Sequence, residues 1–559
     1  MKWSCLLLLW WNGWLLGALP AQKVVPPEDW LYDALTALAL EQGRLFFTGA
    51  PLTVDQVELM LAEINEAALS ASGMALYEKI HKALAEPGLL SLGAGALTFK
   101  ADGAVQPEFY FKSNKDLAWN YTREERLPFL IFPLTIGVSP YIALETELYL
   151  GENRMLSNAH DNYSNFPFDK MMDGVQSLDT NIPKRAYLSA GIPLWGRSGI
   201  NFRLGIGEDY YGRTETGSII FSDKVKGVSY ASLSFYSPSL TYSADIKQIE
   251  VNKYLYLHHL RARLFNRFSF ALVEGVMVNA PFELRYLNPV MIFHGFNAWE
   301  DYKEYNTQAG PDNLSSGNSR VGSLGALILE ARLWKSTRIY GLAAMNQFEI
   351  PGIEDDEDST VPNSLAFQLG FEAALPVSSG YWRFGFEGVY AFPYMYILSH
   401  KNWSFYRESQ EISNPPLFQW LGSPFGPDSI VGTLWAEYQN LPSSWSAHFS
   451  FLMLVQGENA DAAIFADQSE AYPDTHAQAR APAPTGVPMY TWLIKAGGTW
   501  DAARWLALSF RGGYKIAHGH NHSRGKTEHG FELGLSVQFR PKWLRRFSLP
   551  QEAAPSRLE

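Results

Sequence analysis

The sequence predicts an all-β transmembrane barrel of about 18 antiparallel strands, preceded by a small N-terminal periplasmic helical bundle. Three observations support this fold class. Segments after residue 92 alternate apolar and polar side chains, the connections between them alternate in length, and no run beyond residue 21 approaches the roughly 18–20 apolar residues of a membrane helix. Aromatic residues make up 14% of the 559 residues and charged residues only 18%, against about 25% charged in a typical soluble domain.

Residues 1–21 have the features of a secretory signal peptide: Lys2 supplies positive charge, an apolar core follows, and Ala21 is small enough for the cleavage point. Cys5 is the only cysteine and lies inside this segment. The chain that remains after removal of the signal peptide therefore has no cysteine. A large secreted chain without cysteine favours a bacterial envelope protein over a secreted animal protein. The predicted divisions are a signal peptide (1–21), a periplasmic α-helical segment (22–91), an outer-membrane barrel with long extracellular loops (92–540) and a C-terminal tail (541–559).

The segment after the signal has a helical period. Thr53 and Gln56 form a predicted capping box, and an apolar stripe through Val57 and Leu61 follows. Similar stripes over 30–38 and 76–84 predict two more short helices. Because about 60 residues bury too little surface to be comfortable alone, we expect the helices to dock on the barrel. The alternative is a free-standing helical bundle.

The strand period of two is clearest over 365–374, where Phe367 and Leu369 belong to one face and Gln368 and Glu372 to the other. Similar alternation occurs over 382–387, 445–451 and 531–539. Glycines and ionisable residues share the second face. This pattern predicts an inward polar face and an outward apolar face.

Connection lengths separate a membrane barrel from a soluble multi-sandwich protein. Short connections at 377–380, 440–443 and 501–504 alternate with longer ones at 395–428, 456–488 and 517–528. Outer-membrane barrels have short periplasmic turns and long outer loops, whereas a sandwich has no reason to sort its turns by side. We therefore expect a multi-pass outer-membrane protein with the N-terminal helices and the C-terminus in the periplasm.

A barrel of this size encloses an aqueous channel unless something fills it. The candidate fillers are a helical segment over 282–296, the inward charges and the N-terminal helices. The architecture alone leaves an open pore and a plugged barrel as alternatives.

Several local segments carry a resemblance to a known family. They are the run 31–51 with the helix after it, RYLNP at 285–289, the strand over 323–333 with its successor to residue 350, and the segments 394–402 and 421–429. With these segments the chain resembles the Wzi family of capsule assembly proteins. The resemblance implies a non-enzymatic lectin that anchors capsule or exopolysaccharide at the cell surface, where the partners are the polysaccharide, the lipid bilayer and lipopolysaccharide or glycolipid. It covers nearly the whole mature chain, but the loop 456–488 and the tail after Arg540 match nothing in the family.

Aromatic faces and basic side chains in the outer loops are the candidate polysaccharide ligands, since aromatic rings combine a large apolar face with a polar edge and Arg and Lys can pair with acidic sugars. The alternative for any one Trp or Tyr is an aromatic girdle at the membrane interface. The candidates are Trp299, Tyr302, Lys401, Trp403, Tyr406, Arg407 and Trp420.

Other functions receive less support. With 57 acidic and 45 basic residues the net charge is −12, which does not favour nucleic acid. The histidines at 518, 520, 522 and 529 could suit a transition metal, and the acidic run 354–358 could suit calcium, but a polar loop explains each more simply. No motif of a hydrolase or nucleotide-binding enzyme is present. We expect a monomer with no cofactor, metal or catalysis, or alternatively a channel for sugars or other small solutes.

Overall fold

The computed structural model describes residues 20–85, 89–94, 96–114, 117, 127–150, 163–165, 183, 185–195, 197–293, 321–347, 360–398, 401–409, 417–460, 473, 475–540 and 547–548. Strands dominate this part of the chain. They are β1 (Leu90–Ala94), β2 (Leu97–Ala101), β3 (Ala104–Val105), β4 (Glu108–Lys112), β5 (Leu130–Val138), β6 (Ile142–Leu150), β7 (Tyr163–Ser164), β8 (Arg185–Pro193), β9 (Gly199–Gly207), β10 (Val228–Tyr236), β11 (Leu240–Glu250), β12 (Lys253–Leu264), β13 (Phe268–Asn279), β14 (Val321–Ala331), β15 (Thr337–Gln347), β16 (Ser364–Val377), β17 (Gly380–Ala391), β18 (Tyr406–Ser409), β19 (Leu417–Trp420), β20 (Ser429–Asn440), β21 (Trp445–Gln456), β22 (Met489–Ala503), β23 (Leu506–His518), β24 (Thr527–Phe539) and β25 (Phe547–Ser548).

The strands close into an antiparallel barrel with 18 strand positions, which confirms the predicted fold class. The first position is shared by three short strands, β2, β3 and β4. On one side β2 and β3 pair with β5, and on the other β3 and β4 pair with the last barrel strand, β24. This double pairing removes the free edges that an open sheet would expose.

The connections sort by length, as expected, with one exception. Short turns such as 139–141, 378–379 and 504–505 lie at one end of the barrel, which we call the turn end. The opposite end, which we call the loop end, carries the long connections. The exception is the two-residue turn at 251–252, which joins β11 to β12 at the loop end.

The outward face is apolar and exposed. Leu369, Leu434 and Leu535 are examples on separate strands, and each is more than half exposed. A surface of this extent is not stable in water and indicates contact with lipid. Tryptophans near the turn end complete the pattern of an interfacial girdle: Trp195, Trp334, Trp382, Trp445, Trp500 and Trp505.

The α-helices in the described part of the chain are α1 (Leu31–Glu41), α2 (Val54–Leu61), α3 (Ala71–Ala85) and α4 (His476–Ala479). The predicted capping box of Thr53 and Gln56 is confirmed at the start of α2. Across the described residues, none of the helices has both the length and the apolar character needed to cross a membrane.

The N-terminal helices dock inside the turn end of the barrel, as predicted, and are not a free-standing bundle. Arg263 of β12 donates to the Glu63 carboxylate at 2.8 Å and to the Leu45 carbonyl at 2.7 Å. The amide of Leu45 in turn donates to the Asn266 carbonyl at 3.0 Å. Apolar residues of α1 and α2 share a buried cluster with Tyr381 of β17.

Inward charges from neighbouring strands form a buried ladder, in agreement with their predicted inward orientation. Successive ion pairs join Arg338 to Glu330 at 3.2 Å and to Glu372 at 2.7 Å, and Glu372 to Arg383 at 2.7 Å. Arg383 also binds Asp33 of α1 at 2.9 Å. The ladder therefore connects the barrel wall to the docked helices, and buried charges of this kind need such partners.

A filler that the sequence did not reveal occupies the lumen toward the loop end. The connection between β9 and β10, residues 208–227, turns inward and buries Ile219 and Phe221 almost completely. Its Gly212 amide donates to the Gly49 carbonyl at 2.8 Å, and its Ser222 amide donates to the Leu421 carbonyl at 2.8 Å. The in-turned connection thus touches both the N-terminal segment and the connection 392–428.

The predicted filler over 282–296 is wrong. Its described part, up to residue 293, contains a short 3-10 helix, Leu284–Leu287, and packs on the outward face of the wall. Tyr286 lies 4.9 Å from Tyr256, and Phe293 stacks on His258 at 4.2 Å. His259, the neighbour of His258, points into the lumen and contacts Tyr211. An apolar segment is accommodated as well by a lipid-facing wall as by a lumen, so its composition could not decide between them.

Candidate functional site

A small hairpin at the loop end carries three of the seven sequence candidates, Tyr406, Arg407 and Trp420, and a fourth, Trp403, lies just before it. It consists of β18 and β19, with Tyr406 opposite Trp420. The hairpin is tied to the in-turned connection: Arg407 donates to Gln419 at 2.6 Å, and Gln419 donates to the Lys224 carbonyl at 2.9 Å. The hairpin therefore rests on the filler of the lumen.

Two of the aromatic candidates are buried. Trp403 is 7% exposed and belongs to the apolar cluster that fills the loop end, and Tyr406 is 2% exposed. Lys253 lies 4.2 Å from the centre of the Tyr406 ring and donates to its carbonyl at 2.8 Å. Burial raises the pKa of the Tyr406 hydroxyl. In this arrangement both rings serve packing and neither presents a free face to a sugar.

Trp420 and Arg407 remain partly exposed at the hairpin. The Trp420 ring lies 6.1 Å from Tyr396 and 6.0 Å from Tyr406, which fixes its orientation. A Cβ at Gly426 would lie 2.4 Å from the Trp420 indole nitrogen, and Gly426 has a φ of +74°. Only glycine fits there, because the ring is too close for a Cβ and because the backbone has a positive φ. The close contact with Gly426 helps to hold the Trp420 ring in one place.

The other three candidates have no described side-chain position. Lys401 begins a short 3-10 helix, Lys401–Trp403, of which the backbone alone is described at Lys401. Trp299 and Tyr302 lie outside the described residues. The acidic run 354–358 also lies outside them.

A polar cavity of about 410 Å³ lies in the lumen beneath this surface, between the in-turned connection and the wall of β17, β20 and β21. Although burial opposes ionisation, Arg383 and Arg213 lower the pKa of Asp33 to about 2. Burial and the Glu387 carboxylate raise the pKa of Glu215 to about 7. The sequence offered no signal for this cavity because its lining comes from α1, an irregular connection and three strands. The lining includes Asp33, Arg213, Glu215, Lys224, Arg383, Trp435, Glu437 and His448.

Comparison with known proteins gives a fold but no close relative. No protein-family model matches the chain. No curated protein matches it either. A solved structure of Wzi, an outer membrane protein of Escherichia coli involved in group 1 capsule assembly and described as a carbohydrate-binding β-barrel, covers 94% of this chain and 100% of its own, with a TM-score of 0.56 and 12% identity.

In fold, the chain is similar to Wzi. This confirms at the level of the fold the resemblance carried by the sequence segments. Two other solved structures are more distant: OccK11 of Pseudomonas aeruginosa covers 79% of this chain and 95% of its own, with a TM-score of 0.38 and 10% identity. A loop-deletion variant of OmpT of Vibrio cholerae covers 80% and 99%, with a TM-score of 0.28 and 11% identity.

On this Wzi-like fold the loop-end histidines have separate partners. The Nδ1 atom of each ring is within hydrogen-bond distance of a different group. It lies 2.8 Å from the Thr527 hydroxyl in His518, 2.7 Å from the Val487 carbonyl in His522 and 3.2 Å from the Tyr514 hydroxyl in His529. In the described ranges no group of three or more His, Cys, Asp or Glu residues is placed to hold a metal ion.

The raised pKa of Glu215 predicts a pH-dependent stability. A carboxyl whose pKa rises on folding stabilises the fold fully below its unfolded pKa, and this contribution is lost as the pH rises through about 7. Glu215→Gln should therefore raise the midpoint of denaturant unfolding at pH 8. It should also flatten the pH dependence of this midpoint between about pH 5 and pH 8, roughly the interval between the pKa of the carboxyl in the unfolded chain and its pKa in the folded chain. Exposed Glu78→Gln on α3 is the control and should retain the wild-type dependence. An unchanged profile in Glu215→Gln would show that this carboxyl does not titrate with folding.

Proposed function

We propose that this chain is a plugged outer-membrane barrel that binds capsular or exopolysaccharide at its loop end and anchors it to the cell surface without catalysis. The observation that carries the proposal is the in-turned connection, which occupies the lumen beneath the loop-end hairpin. A barrel with a connection packed into its interior supplies a rigid platform for binding and leaves solutes a narrower path. The fold similarity to a carbohydrate-binding barrel supports the same conclusion.

The proposed orientation places the turn end in the periplasm and the loop end outside, with the C-terminus in the periplasm. Short turns on one side and long connections on the other support it. The docked helices then occupy the periplasmic mouth, and the protein acts as a monomer in contact with the bilayer and with lipopolysaccharide.

At the hairpin, Trp420 and Arg407 are the proposed ligands for the polysaccharide. An aromatic ring covers the apolar face of a sugar, and a guanidinium can form two parallel hydrogen bonds to a carboxylate. Trp299, Tyr302 and Lys401 stay in the proposal as neighbouring loop candidates. Trp403 and Tyr406 support the hairpin from below.

The alternative is a channel for sugars or other small solutes. Near the turn end of β21 and β22, His448 and Thr499 are exposed to the lumen, which forms a vestibule there. Toward the loop end of β22 and β23, however, the inward Thr491, Leu493 and Lys515 are buried. A vestibule that narrows to buried side chains favours the plugged barrel over the channel.

Binding of purified protein to surface polysaccharide tests the proposal. The full chain, immobilised in mild detergent, should retain polysaccharide isolated from the native strain and release it when free polysaccharide competes. A heat-unfolded sample is the control. Equal retention by folded and unfolded protein, or none by the folded protein, would contradict the proposal.

A further inference from the structure

A small cavity lies between the inward face of the wall and the docked N-terminal segment. Strands β9 to β12 form one side of it, and residues 46–63 form the other. Its volume is about 70 Å³, which leaves room for several waters or one small polyatomic ion. The lining residues with an acidic or basic side chain are Glu63, Arg203, His259, Arg261 and Arg263. Glu63 is already paired with Arg263 at 2.8 Å, so the lining has an excess of positive charge.

Arg203 is a buried cation without a carboxylate partner. Its side chain is 7% exposed, and it forms no ion pair with any residue that the structure describes. Its one hydrogen bond there, from Nη2 to the Ser232 hydroxyl, is long at 3.4 Å. A guanidinium has five N–H donors, and a buried charge without a partner is costly. An anion in the adjoining cavity would supply the acceptors that Arg203 lacks.

Two carboxylates elsewhere in this part of the lumen are engaged by other groups. Asp209 binds Lys247 in an ion pair. Asp245 accepts hydrogen bonds from the Tyr211 and Ser243 hydroxyls, each at 2.6 Å. Neither carboxylate lines the cavity. The protein itself therefore does not neutralise Arg203 at hydrogen-bond distance.

Arg261 and His259 offer further donors at the cavity. Arg261 donates through Nε to Ser269 at 3.2 Å and through Nη2 to Glu330, which leaves Nη1 without an acceptor among the described residues. The Phe47 ring, 4.7 Å from the guanidinium carbon, helps to hold Arg261 in this position. His259 is 4% exposed, and its Nε2 has no hydrogen-bond partner in the described part of the chain. With a proton on Nε2 this ring is a third donor.

We propose that the cavity binds one small oxyanion of the phosphate and sulfate class, held between Arg203 and Arg261 with His259 as a further donor. A guanidinium gives two parallel hydrogen bonds to two oxygens of one oxyanion, whereas chloride has no such pair of acceptors. The lining continues to Ser237 and Pro238 at the turn end, which gives the ion a route from that mouth. The bound ion would join the wall to the N-terminal segment. The inference does not rest on the proposed polysaccharide binding, which uses the loop end.

Titration of the full-length protein with single anions tests the site. The protein is kept in mild detergent at constant pH and ionic strength, and phosphate, sulfate or chloride is added. Calorimetric titration measures affinity, and the midpoint of thermal unfolding measures the linked stabilisation, because a ligand that binds only the folded state stabilises it. Wild type should bind one phosphate or sulfate per chain, with a midpoint that rises with the logarithm of the anion concentration. Chloride should leave the midpoint unchanged.

Three arginine variants assign the binding to the cavity. Arg203→Met removes the charge and the paired donors, so it should weaken phosphate binding at least roughly tenfold. Arg203→Lys keeps the charge without the paired donors and should have an intermediate affinity. Arg267→Met is the matched control, because Arg267 is exposed at the same end of the barrel and does not line the cavity. It should bind phosphate like the wild type.

Heat-dependent gel mobility shows whether each variant is folded. Should Arg203→Met not fold, crystals of the wild type soaked in selenate supply the second measurement, and an anomalous difference peak should lie between Arg203 and Arg261. Undiminished phosphate binding by folded Arg203→Met, an equal effect of chloride, or wild-type crystals with water alone in the cavity would overturn the proposal.

Discussion

Replacing residues 213–224 of the in-turned connection with a short Gly-Ser linker should convert a non-conducting barrel into one with a stable ohmic conductance in a planar bilayer. The deletion removes Ile219, Ile220 and Phe221, which are almost completely buried at the centre of the loop-end cluster. Without them the turn-end vestibule would join the outside, because a barrel of about 16–18 strands has room for an aqueous channel.

The matched control is deletion of α4, in which the Ala479 carbonyl accepts a hydrogen bond from the Asn363 amide at 3.4 Å, and which contributes no residue to the buried cluster around Ile219 and Phe221. That variant and the wild type should show no stable conductance when folded, as judged by heat-dependent gel mobility. Equal conductance of wild type and the linker variant would contradict the plugged account and favour the channel.

Trp420→Ala and Trp403→Ala should have different effects, although both remove a tryptophan from one connection. Trp420 is partly exposed, so its loss should weaken polysaccharide binding roughly tenfold, about 1.4 kcal/mol, and Arg407→Ala should do the same. Trp403 is 7% exposed within the core cluster, and its loss should destabilise the fold by about 3–5 kcal/mol, as for other large core truncations.

The measurements are the affinity of each folded variant for isolated polysaccharide and the midpoint of denaturant unfolding. Tyr490→Ala, on the outward face near the loop end where it stacks with Trp492, is an aromatic control that should leave binding unchanged. Unaltered binding in both Trp420→Ala and Arg407→Ala would remove the hairpin from the proposed site.

The barrel and its helices could be predicted because their patterns are local. The inward Gln368 and Glu372 alternate with outward Phe367 and Leu369, and each pair lies on the expected face. The capping box of Thr53 and Gln56 needs four residues only. Such signals do not depend on partners that are distant in the sequence.

The positions of the in-turned connection and of the site depend on long-range packing, which the local periodicity of a sequence cannot predict. The connection 208–227 has no regular structure in its centre, and its burial depends on contacts with Gly49 and Leu421, far away in the chain. Trp403 lay in a long connection predicted to be exposed, yet that connection turns into the lumen. The position of the candidate filler over 282–296 could not be predicted either, because both sides of a membrane barrel can accept apolar residues.

The most direct test of the central claim is the ratio of cell-bound to shed polysaccharide in strains with and without this gene. The anchoring account predicts unchanged total synthesis and a shift of polysaccharide to the medium in the deletion strain, restored by wild type and not by folded Trp420→Ala combined with Arg407→Ala. An unchanged ratio in the deletion strain would contradict the anchor function and leave only the shared fold.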